Sequence, residues 1–295
     1  MKVIKPTKFD KSTMLVSTTA VETVALYNPV TTYAVDAVVL YNDYIYVSIT
    51  DGHTGQQPDI SPTKWKLKEP GNVIAMFDTS VSTVTTSGTS LTVVVDTKLC
   101  NSLGLLNLTG TEVTITGTDG PSGPTVYSKT VDLDGTIITD WYDYFFAEYS
   151  PLTDLVLTDI PPYSTMRLTV TITSGSSVGI GVMTWVNLYT LGYTQYGSSV
   201  GLRDYSIKET DEYGNIVLTE RSFSKKMTAN IMVDNYNFNK VNNLLTDIRT
   251  TPSVFIGSED SRFNQSIVFG YYKEYSVVIS YPTMSMCSLE IEGLI

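Results

Sequence analysis

Leu168-Thr169-Val170-Thr171-Ile172 alternates apolar and polar residues, and the same texture recurs at Leu91-Thr92-Val93-Val94-Val95 and Glu112-Val113-Thr114-Ile115-Thr116. A period of two places every second side chain on one face, the pattern of a strand with one side buried. Val, Ile and Thr also suit a pleated, half-buried surface. Turn signals at Thr118-Asp119-Gly120-Pro121 and Ser122-Gly123-Pro124 punctuate these runs. No window between 72 and about 185 carries a helical stripe. This stretch therefore predicts an antiparallel β-sandwich, jelly-roll-like. The run Trp141-Tyr142-Asp143-Tyr144-Phe145-Phe146 is too apolar for a free loop and is expected to cap one end of the sandwich.

Beyond it, from about 186 to 295, the texture changes. Ile216–Thr219 and Met227–Val233 read as strands. Phe238, Val241, Leu244, Leu245 and Ile248 then fall at helical spacing on one face, with Asn235 or Asn237 as cap and Pro252 as stop. Strands are expected around Ser253–Ile256, Ile267–Tyr271, Tyr275–Ile279 and Cys287–Ile291. The reading is an α+β domain in which one helix covers a mostly antiparallel sheet. The chain as a whole is expected to be mainly β.

On the N-terminal side, residues 27–70 form a small unit. Tyr27 and Tyr33 lead into Asp36, Tyr44-Ile45-Tyr46 reads as a strand, Gly55-Gln56-Gln57-Pro58 as a turn, and Trp65 closes the segment before Glu69-Pro70-Gly71. About forty residues cannot build an ordinary core, so stacked rings must carry the fold. This pattern resembles the small chitin-binding-like modules of polysaccharide-degrading enzymes, which also occur fused to phage virion proteins. Tyr27 stands where that family usually has Trp, and Val35 where it usually has Gly. As core, Tyr33, Tyr46 and Trp65 would be buried; as a platform, Tyr27, Tyr44 and Trp65 would stand exposed and stack on pyranose rings. Tyr27, Tyr33, Tyr44, Tyr46 and Trp65 are thus the carbohydrate-binding candidates. Residues 1–26 lack a period and read as an extended arm or peripheral strand.

At 295 residues the chain can bury one large core or two to three smaller ones. A net charge of −11 argues against nucleic-acid binding, which needs clustered Lys and Arg; only Lys225-Lys226 approaches a cluster. No apolar run is long enough for a membrane span, and the residues after Met1 do not read as a signal peptide. Cys100 and Cys287 read as buried hydrophobes in a protein folded in a reducing compartment.

The run from Val200 to Asn215, followed by Glu220-Arg221-Ser222-Phe223-Ser224-Lys225-Lys226-Met227, the helix and the closing Ser288-Leu289-Glu290-Ile291-Glu292-Gly293-Leu294-Ile295, resembles a family of virion proteins of tailed bacteriophages. The resemblance spans the whole order of arm, carbohydrate-binding-like module, β-rich middle and α+β end. It implies a tail-associated structural role with no catalytic residues. The order of the last domain is also similar to ring-forming folds of phage tail tube, hub and distal-tail proteins, a likeness of fold that does not by itself fix function.

The single histidine, His53, reads as a solvent-exposed loop residue. Asp140 and Asp143 flank Trp141 and Glu148 lies just beyond, which would suit a sugar cleft, but nothing in their spacing selects a catalytic pair. Asp132-Leu133-Asp134-Gly135 lacks the later ligands of a calcium loop and reads as a turn. No metal site, cofactor or catalytic residue is expected. The expected role is a structural component of a bacteriophage tail, at the tail, hub or adaptor, forming a symmetric homo-oligomeric ring with β modules displayed outside. Its partners would be copies of itself and other tail proteins; it would reside in the virion after synthesis in the host bacterial cytoplasm. The alternative is a receptor-binding or accessory protein that holds host surface polysaccharide through residues 27–70.

Overall fold

The computed structural model describes residues 1–6, 8–136, 138–210 and 212–294. Asp211 and Ile295, inside the stretches that carry the second resemblance, lie outside the described residues. The chain is mainly β, with several antiparallel sheets and a short helix near the C-terminus.

The first strands are β1 (Lys2–Ile4) and, after the one-turn helix α1 (Lys11–Met14), β2 (Leu15–Thr18). A three-stranded meander follows: β3 (Val38–Tyr41), β4 (Tyr44–Ser48) and β5 (Trp65–Pro70). Its first hairpin turns on Asn42 and Asp43, both at positive φ (49° and 67°). Two left-handed residues match the right-handed strand twist, and Asn and Asp tolerate that backbone.

The alternating middle forms β6 (Thr85–Ser87), β7 (Ser90–Asp96), β8 (Ser102–Thr109), β9 (Glu112–Asp119), β10 (Thr125–Asp132), the short helix α2 (Trp141–Phe146), β11 (Leu155–Leu157), β12 (Met166–Thr173) and β13 (Val178–Val186). One sheet runs β10-β9-β12-β7-β2 and the other β11-β8-β13-β6. The alternation does what the sequence requires. Leu91, Val93 and Val95, Val113 and Ile115, and Leu168, Val170 and Ile172 all enter one core. Threonines take the outer face, where Thr92 and Thr171 pair at 3.2 Å and Thr114 and Thr130 at 3.1 Å.

The C-terminal part contains β14 (Leu188–Thr190), β15 (Tyr193–Thr194), β16 (Ser199–Asp204), β17 (Ile207–Thr210), β18 (Ile216–Thr219), β19 (Phe223–Asp234), α3 (Phe238–Ile248), β20 (Ser253–Ile256), β21 (Ile267–Val278) and β22 (Met284–Gly293). An eight-stranded sheet runs β14-β1-β20-β21-β22-β19-β15, with β16 also on β19. The two strands expected around Ile267–Tyr271 and Tyr275–Ile279 are one, interrupted by a register shift between Tyr272 and Glu274. On α3, Val241, Leu245 and Ile248 are buried against Ala229, Ile231, Val233 and Leu289, while Phe238 and Leu244 are half-buried. Asn237 occupies the N-cap position without a side-chain cap, and Asn235 instead donates to the carbonyls of Tyr281 and Pro282.

The first residues depart from expectation. Lys2–Ile4 is no peripheral strand: it lies between β14 and β20, hydrogen-bonded to both. Three residues are too few to show a period, which is why the sequence hides it. The opposite face of the large sheet packs on the sandwich through Ile4, Val254, Ile256, Ile267 and Phe269 against Leu106 and Val182. That second contact explains β8 and β13, which are buried on both sides and so do not alternate.

Candidate functional site

In the 27–70 unit, β5 carries Trp65 inward, where it is 2% exposed. The indole donates Nε1–H to the Gln56 carbonyl at 2.8 Å, so the Gly55–Pro58 turn is tied to the ring it covers. Tyr33 is also buried; its hydroxyl donates to the Asn28 carbonyl (3.1 Å) and accepts from the Asn28 amide (2.7 Å). Trp65 meets Tyr33 edge-on with centroids 5.0 Å apart. Tyr27 stacks on Tyr33 at 5.6 Å and meets Trp65 edge-on at 6.0 Å. Burial pushes the Tyr27 hydroxyl pKa up, with Tyr33 and Tyr41 adding to it. Tyr46 is half-buried against the same cluster. Of the five residues proposed to contact sugar, only Tyr44 is largely exposed.

His53, expected in an open loop, is buried. Its Nε2 lies 2.8 Å from Ser48 Oγ, and its ring stands edge-on to Trp65 at 4.9 Å. The reason is backbone pairing: Tyr33 N–H donates to the His53 carbonyl at 3.0 Å, which draws the 50–54 turn onto the ring cluster. Such rings are spent on a miniature core.

The aromatic run in the middle of the chain also departs from expectation. Asp140 accepts from the Asp143 amide at 2.8 Å and starts α2. A six-residue helix points its rings in all directions, so they pack on one another rather than on the sandwich. Tyr142 meets Phe146 at 4.9 Å and Tyr144 meets Phe145 at 5.1 Å, yet Trp141 remains 79% exposed. Asp143 in turn accepts from the Thr139 hydroxyl and amide, which hold its carboxyl below the usual range. Both carboxylates thus serve the helix and its approach. Asp134 likewise accepts from the Thr136 amide at 2.9 Å, closing a turn.

Cys100 and Cys287 are free thiols in separate cores; burial pushes the Cys287 thiol up to about 11. No group of three or more His, Cys, Asp or Glu is arranged for a metal among the described residues. No helix of the described residues is long and apolar enough to cross a membrane.

A cavity of about 630 Å³ opens where the first residues, the small unit, the sandwich and the large sheet meet. Phe9 stacks on Phe77 at 3.9 Å, Trp185 meets both edge-on, and Lys5, Lys8 and Tyr44 stand at its walls. These residues come from distant stretches, so no local motif announces them.

A second exposed apolar region lies at the edge of the large sheet. Among the described residues, strands β17 and β18 pair only with each other. Ile216, Val217 and Leu218 are consecutive and all exposed, so each face of this hairpin carries apolar side chains beside Lys208, Glu209 and Thr210 of β17; Val200, Leu202 and Phe223 on the neighbouring strands are also exposed. Glu292 secures its root: the carboxylate is 5% exposed, accepts from Arg203 at 2.8 Å and from the Tyr205 hydroxyl at 3.2 Å, and forms an ion pair with Lys273.

No family model matches the chain, and no curated protein matches it.

Proposed function

We propose that this chain is a structural component of a bacteriophage tail that assembles into a symmetric ring, with the sandwich and the small 27–70 unit displayed outside. Its work is assembly through strand edges and aromatic faces, with no catalytic step. The observation that carries this reading is the unpartnered apolar surface of α2 and of β16–β18. A monomer rarely keeps contiguous apolar patches of this kind unless they are contact sites. The resemblance of the whole chain to tail-associated virion proteins points the same way.

Burial of Trp65 favours this reading over the alternative of a polysaccharide holder, because Trp65 and Tyr27, two of the three rings expected to form a platform, pack edge-on against each other at 6.0 Å instead. Light scattering on the purified full chain tests it. Particles of several chain masses are expected; a strict monomer at high concentration would count against it.

A further inference from the structure

We propose that the cavity of about 630 Å³ where the first residues, the small unit, the sandwich and the large sheet meet is a binding site for a small aromatic acid. This inference does not rest on the assembly reading above.

The walls argue for a ring-bearing guest. Phe9, Phe77, Trp185 and Tyr44 line the space, with Ile74 and Phe269 beside them. Phe9 and Phe77 are only half-buried, so part of their stacked pair stays open to a guest, and Trp185 stands edge-on to both. A mostly apolar wall with a few placed polar groups, in this size range, is the usual make-up of a small-molecule site. Aromatic guests gain further from edge-to-face and offset contacts with such rings.

One polar atom of the wall lacks a partner. Thr184 is 5% exposed, and its hydroxyl is buried with no hydrogen bond among the described residues. Buried hydroxyls are nearly always paired. The Thr184 methyl lies 3.2 Å from where a Cβ on Gly104 of β8 would sit, so the methyl takes the β8 side. On the other side β6 pairs with β13 only over Val178–Ile180. Beyond Ile180, Val182–Trp185 borders the cavity instead of a strand. A guest with a hydrogen-bonding group there satisfies the hydroxyl.

Charge selects an acid. The chain has 19 Lys and Arg against 30 Asp and Glu, but this wall reverses the ratio, with Lys5 and Lys8 against Asp78. The Asp78 carboxylate is already occupied, accepting from the Ser80 amide at 2.8 Å and the Thr83 hydroxyl at 2.5 Å. Nearby acids are engaged as well: Asp10 accepts from the Ser12 amide, and Asp43 pairs with Lys11. Lys5 reaches only Asp247, at 4.0 Å, and Lys8 makes no ion pair among the described residues. Two ammonium groups beside an apolar, ring-lined space suit one anionic group on an aromatic body.

The probe is anilinonaphthalene sulfonate, an aromatic acid whose fluorescence rises on binding. Its counterpart is phenylnaphthylamine, which has the same rings and N–H but no acid. The full chain should bind both. Lys5→Met with Lys8→Met should weaken the sulfonate at least about tenfold and leave the neutral dye within about twofold. If that variant melts early, Lys5→Gln with Lys8→Gln replaces it. Thr184→Val keeps the side-chain volume and should weaken both dyes about threefold without lowering the melting temperature. Such dyes also settle on exposed rings, so Trp141→Ser with Phe145→Ser is the control for location and should change neither. Equal loss of the two dyes in the lysine variant, or loss of neither, overturns the inference. Lost binding in the Trp141 variant places the dye on α2 and overturns it too, as does parental binding of both dyes by Thr184→Val.

Discussion

Val3 and Ile4 are adjacent in the chain, both fully buried, and enter different cores. Val3 joins the cluster under α3, and Ile4 joins the one between the large sheet and the sandwich. A strand that alternates its side chains can serve both layers only if both faces of its sheet are covered. Ile4→Ala should therefore cost about 2–5 kcal/mol. Lys2→Ala, which loses a partly exposed pair with Glu259, should cost under about 1 kcal/mol. Denaturant melts would measure both. An Ile4→Ala protein within about half a kcal/mol of the parent would show that β1 does not join the layers.

Legibility followed how local the signal was. Leu168–Ile172 and its two companions alternate because one face meets a core and the other meets water, and both facts are written residue by residue. The stripe Val241, Leu245 and Ile248 was readable for the same reason. Val178–Val186 was not, because contacts on both faces erase the alternation. His53 carries no such local signal, because its burial depends on Tyr33, twenty positions away. The rings of α2 read as buried on composition alone, but an Asp140 cap wound them into a helix too short to have a single inward face.

The aromatic cluster of the small unit makes an asymmetric prediction. Trp65→Ala should cost about 3–5 kcal/mol, since the ring is enclosed and its N–H is used. Tyr44→Ala should leave the fold intact. Differential scanning calorimetry separates the two. A Tyr44→Ala protein that loses retention on a host polysaccharide gel, where the parent is retained, would revive the sugar-binding alternative.

Leu245 lies inside the cluster beneath α3, and Tyr272 donates its hydroxyl to the Leu245 carbonyl at 2.7 Å. Leu245→Asp would bury an unpaired charge and should cost several kcal/mol, comparable to the stability of a small domain. Asp247, on the outer side and 68% exposed, should tolerate Ala within about half a kcal/mol. Thermal melts read both. A Leu245→Asp protein with a parental melting temperature would mean that the stripe is not what holds the helix.

The Glu292 carboxyl is held below its usual range by Lys273 first, then by Arg203 and Tyr205, with burial opposing them. A lowered carboxylate pKa contributes stability that is complete above the unfolded value, about 4.3, and fades as pH falls through the folded value. Glu292→Gln should lose that part of the acid dependence. Removing both cations, Arg203→Ala with Lys273→Ala, should lower stability at neutral pH by leaving the carboxylate without ion partners. Stability curves from pH 3 to 7 would show it. Parallel curves for parent and Glu292→Gln below about pH 4.3 would contradict the assignment.

Negative-stain electron microscopy of the purified full chain decides whether the proposed ring forms. Class averages are expected to show closed rings with rotational symmetry, the sandwich and the 27–70 unit projecting outward. Single particles of one chain's mass, with no ring at any concentration tried, would contradict it.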